Sequence, residues 1–162
     1  MTTEPLTLEQ LVRQPIEAII PHRGSMLLLD AIDTFTDTTL AAFAHVDPHA
    51  WYADAAGAMP AWIGIEVMAQ AIAAHVALLA MRGGGQARPG VLLGSRSYQA
   101  LQPAFRGGAR LHVQVTELLR SDAGHGAYEC TIDAGGVRCA EAIVKVFQPT
   151  DFKSFIEGSV ST

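Results

Sequence analysis

Residues 59–81 read MPAWIGIEVMAQAIAAHVALLAM, and this stretch decides the fold. Pro60 suits the first turn of a helix, where a missing N–H does no harm. The run Arg82-Gly-Gly-Gly85 is a helix stop. The helix between them is apolar on every face, so other elements must surround it. Six alanines between 69 and 80 let a sheet approach closely. Glu66 is the only formally charged residue in the stretch. A buried carboxylate costs several kcal/mol unless it is paired, hydrogen-bonded or protonated. Glu66 is therefore the first candidate for chemistry.

Outward from the helix, the chain is mostly β. Thr7-Leu-Glu-Gln10 fits a capping box for a short helix that ends by Pro15. Strands are predicted at 26–32, 39–46, 91–93, 95–101, 111–116, 128–132 and 138–147, the fifth with strict period-2 alternation. Asp133-Ala-Gly-Gly136 marks a hairpin turn. With Ala134-Gly135 as its loop, Cys130 and Cys139 face each other across the hairpin. Without an export signal in residues 1–20, both thiols are expected to be reduced and the protein cytoplasmic. The expected class is α+β: an antiparallel sheet of about five strands wrapped around one central helix. Such a sheet keeps an open edge, and pairing two edges makes a dimer.

The chain of 162 residues supports one domain, expected at 1–150 and followed by a polar tail at 151–162. A composition of 49% apolar and 17% charged residues is that of a globular protein. A net charge of -5 argues against general nucleic-acid binding. The charge-free part of the long helix, 67–81, is shorter than the roughly 18–20 residues a membrane span needs, so a core helix is expected. Between Arg82 and Arg120, six arginines face a single acid, Glu117. That segment is either a solvated sheet face or a docking patch for an acidic partner.

Several blocks resemble the β-hydroxyacyl-[acyl-carrier-protein] dehydratases. Pro21-His-Arg-Gly-Ser-Met-Leu-Leu-Leu-Asp30 is similar to their first-strand motif, and Met59-Pro-Ala-Trp-Ile-Gly-Ile-Glu-Val-Met-Ala-Gln70 to the start of their central helix. Gly90-Val-Leu-Leu-Gly94 and Phe105-Arg-Gly-Gly-Ala-Arg-Leu111 follow in the family's order. The Pro-Ala-Trp form of the helix start looks most like the thioester dehydratases of aryl-polyene-type pathways. The resemblance implies a hotdog fold, a dimer and an acyl thioester on acyl carrier protein. The dimer would be a homodimer or higher oligomer, or a heterodimer with another hotdog subunit. It implies no cofactor. In the housekeeping enzymes a motif histidine lies fourteen residues before the glutamate; here that position is Tyr52.

Dehydration of a 3-hydroxyacyl thioester needs a base for the α-proton, an acid for the leaving hydroxyl and donors for the thioester oxygen. Glu66 is the expected acid, kept protonated by burial, with Gln70 at i+4 beside it. Backbone N–H groups of Ala61 and Trp62 at the helix start are the expected oxyanion donors; the family places its donor at the residue matching Ala61. For the base, His49 lies in the right loop and His22 in a shared block, while Asp54 is a possible substitute. His75 reads as a satisfied core histidine. Arg82, Arg88 and Arg106 are the expected carrier-docking residues. No metal site is expected: His45 and His49 are four apart, but Pro48 stands between them. The competing readings are a thioesterase on the same fold and a non-catalytic hotdog subunit that pairs with a catalytic partner.

Overall fold

The computed structural model describes residues 4–84, 91–95 and 97–148. Arg88 and the predicted tail at 151–162 lie outside the described residues. The elements in chain order are α1 (Leu8–Val12), β1 (Ala31–Phe35), β2 (Thr39–His45), β3 (Met59–Pro60), α2 (Gly64–Arg82), β4 (Val91–Ser95), β5 (Gln99–Ala100), β6 (Ala104–Phe105), β7 (Arg110–Arg120), β8 (His125–Ala134) and β9 (Val137–Phe147). The main sheet is antiparallel, in the order β1-β2-β7-β8-β9-β4, with β5 also on β9. It curls around α2, and this is the hotdog architecture. The sheet is larger than the sequence pattern predicts. β7 and β8 run on past the alternating core into solvent-exposed ends, where cross-strand bonds need no apolar period.

The core follows the alternation. Leu111, Val113 and Val115 of β7, Cys130 and Ile132 of β8, and Ala140, Ala142 and Val144 of β9 point inward onto α2. Against them α2 presents Val67, Met68, Ala71, Ile72, Ala74 and Leu78, all buried. By length and composition alone the segment Ala61–Arg82 could cross a membrane. In this fold the sheet wraps most of it instead.

Three expectations near these elements are corrected. The segment at 26–32 is not one strand: pairing starts at Ala31, after a 3-10 turn at Gly24–Met26. Pro60 is extended and belongs to β3, and a 3-10 turn at Ala61–Ile63 separates it from α2. The hairpin loop is Gly135-Gly136 rather than Ala134-Gly135. Both glycines have positive φ, 57° and 77°, as the central residues of a type I′ turn require. This register, with a bulge after Ile132, pairs Cys130 with Ala142 and not with Cys139. Both cysteines are free and buried, and burial pushes the Cys130 thiol up to about 12.

His75 fastens the inner face of α2 to the sheet. Its Nε2 lies 3.1 Å from the Thr36 carbonyl and its Nδ1 2.9 Å from the Tyr128 hydroxyl. The carbonyl can only accept, so Nε2 carries the proton, while the Tyr128 hydroxyl lies between His75 Nδ1 and Glu117 Oε2, to which it donates at 3.2 Å. Burial is the main cause holding the His75 pKa below its ordinary 6.5, with the Thr36 carbonyl and Glu117 opposing and Arg120 assisting. A lowered folded pKa means that the unfolded chain binds the extra proton first. Stability is therefore full above 6.5 and declines as the pH falls below it, by up to about 1.4 kcal/mol per pH unit for one proton. His75→Gln should flatten that acid limb in denaturant titrations. An unchanged slope would assign the pH dependence to other groups.

Candidate active site

The site is built at the start of α2. β3 pairs with β6 through Met59–Phe105 and Pro60–Ala104. The ladder runs one residue further, with the Ala61 N–H donating to the Pro103 carbonyl at 3.2 Å. The Tyr98 hydroxyl donates to the Ala61 carbonyl, and burial pushes that phenol up to about 12. Gly64 follows because a Cβ there would collide with the Tyr98 hydroxyl and stand 3.1 Å from the Phe105 ring. The expectation of a free Ala61 N–H is thereby corrected: the β3–β6 ladder uses it. The geometry leaves the Trp62 N–H, in the first turn, as the available backbone donor. The Trp62 side chain is exposed.

One turn on, Glu66 is not sealed in the core. Its side chain is 36% exposed, on the strip of α2 that the sheet leaves uncovered. Glu66 Oε1 accepts from Gln70 Nε2 at 3.1 Å. Gln70 is fully buried, and its amide orientation is fixed from both ends. Its Oε1 accepts from the Leu28 N–H at 2.9 Å, and its Nε2 also donates to the Met26 carbonyl at 2.7 Å. Glu66 Oε1 is thus held as an acceptor.

The second titratable group comes from far away in sequence. His22 Nε2 stands 3.8 Å from Glu66 Oε1, longer than a hydrogen bond but within ion-pair distance. His22 Nδ1 is buried with no hydrogen-bond partner among the described residues. The structure therefore brings together Glu66, Gln70 and His22, with Ala61 and Trp62 at the same helix start.

The other sequence candidates make no bond to Glu66 among the described residues. His49 is exposed on the turn after β2, and its own N–H donates to Asp47 Oδ1 at 2.8 Å. Asp54 Oδ1 accepts from the N–H groups of Ala56 and Ala58 at 2.9 and 3.0 Å, closing the 54–58 loop. Tyr52, fourteen before Glu66, is buried and accepts from the Asp47 N–H at 2.9 Å. Arg82 pairs with Asp37 and lies over the Phe35 ring. Its place, sixteen residues beyond Glu66, is roughly 24 Å away along the helix. Arg106 is exposed beside Phe105, at the Glu66 end. Among the described residues no group of three or more His, Cys, Asp or Glu could hold a metal ion.

Trp51, which the sequence suggests shapes the acyl pocket or core, is exposed, and sequence reasoning did not single out Arg23. Trp51 Nε1 donates to the Ser25 carbonyl at 2.8 Å, tying the loop after β2 to the segment that carries His22. Arg23 binds three carbonyls of that same segment. Neither role has a spacing signal, because both partners are main-chain atoms.

The chain matches the ApeP-like family, described as ApeP dehydratase, over residues 14–157. Among solved structures it is similar to the dehydratase heterocomplex ApeI:P from Xenorhabdus doucetiae. The identity is 25% and the TM-score 0.84, covering 92% of this chain and 99% of that one. A hypothetical thioesterase with coenzyme A from Streptococcus pneumoniae TIGR4 has 17% identity and a TM-score of 0.55, covering 74% and 87%. The E. coli PaaI protein from the phenylacetic acid degradation operon has 12% identity and a TM-score of 0.57, covering 72% and 81%. These last two share the fold alone. None of the curated proteins matches the chain.

Proposed function

The chain belongs to the ApeP-like dehydratase family, and we propose that it removes water from 3-hydroxyacyl thioesters with Glu66 and His22 as its acid–base pair. The observation that carries this is the 3.8 Å approach of His22 Nε2 to Glu66 Oε1. The proton and the hydroxyl that leave sit on adjacent carbons, so acid and base must stand side by side. His22 Nε2 takes the α-proton. Glu66 protonates the departing hydroxyl, which leaves as water, and the α,β double bond forms. His22 then carries a proton and Glu66 a negative charge. One proton transfer between them restores the resting state. The Trp62 N–H, at the positive end of α2, stabilises the thioester oxygen as it gains charge.

The carrier is an acyl carrier protein, with Arg106 as its contact beside the site. Arg82 lies far from the chemistry and is already paired, which makes it a weaker docking candidate. A second hotdog subunit covers the uncovered strip of α2, where Ala69, Ala73, Val76 and Ala80 are only partly buried. The exposed Met26, Trp51 and Trp62 extend that apolar surface past Glu66. The similarity to a dehydratase heterocomplex supports a partner of this kind.

The test is product analysis with 3-hydroxyacyl and saturated acyl thioesters, using the chain alone and with a hotdog partner. Alkene formation from the hydroxy substrate is expected. Free thiol from both substrates, without alkene, would make the protein a thioesterase. No product in either assembly would make it a non-catalytic subunit. In the same assay Arg106→Glu should raise KM for carrier-borne substrate and leave pantetheine-borne substrate unaffected. Equal effects on both would remove Arg106 from docking.

A further inference from the structure

The segment that carries His22 lies outside the sheet. Between the first 3-10 turn, Ile16–Ala18, and the start of β1 it has a second 3-10 turn and otherwise irregular backbone. Irregular backbone near a core leaves carbonyls that need donors. Three of them find one side chain. Arg23 Nη2 donates to the Glu17 carbonyl at 2.6 Å, and Nη1 to the carbonyls of Ile20 and His22 at 2.7 Å each. The guanidinium thus faces carbonyl oxygens on both sides of the Pro21–His22 corner. Buried Ile19 and Ile20 anchor the same corner from within.

A catalytic histidine is normally oriented by a bond to its second ring nitrogen. His22 lacks that bond, because its Nδ1 is buried and unpartnered among the described residues. The ring's placement against Glu66 has to come from the main chain that carries it. We propose that Arg23 is a positioning residue, whose guanidinium fork clamps the 17–22 backbone and sets His22 Nε2 against Glu66. The inference rests on the acid–base reading above and adds the device that makes the pair possible. Lysine cannot replace it, because a single ammonium has no planar fork to span three carbonyls.

The experiment compares Arg23→Lys, Arg23→Ala and His22→Asn in full-length protein, in whichever assembly turns over. The probe is a 3-hydroxyacyl pantetheine thioester. Displacing a reacting group by about 1 Å costs on the order of 100-fold. Both Arg23 variants should therefore lose about 10- to 100-fold in kcat, with little change in KM. Added methylguanidinium should restore kcat in Arg23→Ala and not in His22→Asn. Wild-type kcat in Arg23→Lys, with His22→Asn inactive, overturns the inference alone. Full activity in His22→Asn overturns the acid–base reading and the inference with it. Loss of the folding transition in both Arg23 variants, with no rescue, also overturns it, since Arg23 would then hold the fold and not the histidine.

Discussion

Glu66→Gln removes dehydration, lowering kcat by about 10³-fold while the folding midpoint barely moves. The amide keeps the size of the side chain, and its oxygen still accepts from Gln70 Nε2, the 3.1 Å bond that positions Glu66. It cannot release a proton to a leaving hydroxyl. A side chain that is 36% exposed contributes little core packing, so activity and stability separate. Glu66→Asp should retain part of the rate, because its carboxylate is shorter by one methylene and stands back from both Gln70 and His22. The measurement is single-turnover alkene formation, which isolates the chemical step from product release. A Glu66→Gln protein with wild-type turnover would refute the assignment of acid chemistry to this residue.

Glu66 and Gln70 were legible in the sequence because one helix carries both. A spacing of four puts them on one face, and no long-range information is needed. The central helix and its wrapping sheet were legible for a similar reason: a charge-poor, all-round apolar segment has to be enclosed. His22 was only half legible. Its block resembles the family, but its 3.8 Å approach to Glu66 depends on a segment with no regular pattern. That segment is held by bonds from Arg23, Trp51 and Gln70 to main-chain atoms. The Ala61 donor failed for a related reason. Pro60 reads as helical by preference, yet the two-residue ladder of β3 on β6 draws it out and takes the next N–H. The cysteine pairing failed because moving the turn from 134–135 to 135–136 shifts each partner by two residues and the bulge after Ile132 adds a third, which sets Ala142 opposite Cys130.

Substitution of the two rival histidines gives opposite results, and the contrast is the sharper test of the site. His22→Asn lowers kcat by about 10²-fold or more, equivalent to about 2.7 kcal/mol of barrier. Asparagine keeps a polar group in place but cannot accept the α-proton. His49→Asn stays within about twofold of wild type, as expected for a surface substitution away from the chemistry. The His49 imidazole is exposed, and its bond in the turn is made by its backbone N–H to Asp47, which asparagine also supplies. Tyr52, fourteen residues before Glu66, is committed to the loop: its hydroxyl accepts from the Asp47 N–H at 2.9 Å. The neighbouring Trp51 then ties that loop to the Ser25 carbonyl, three residues from His22. In the proposed mechanism this loop supports the segment that carries His22, and an inactive His49 variant beside a fully active His22 variant would assign the base to the loop instead.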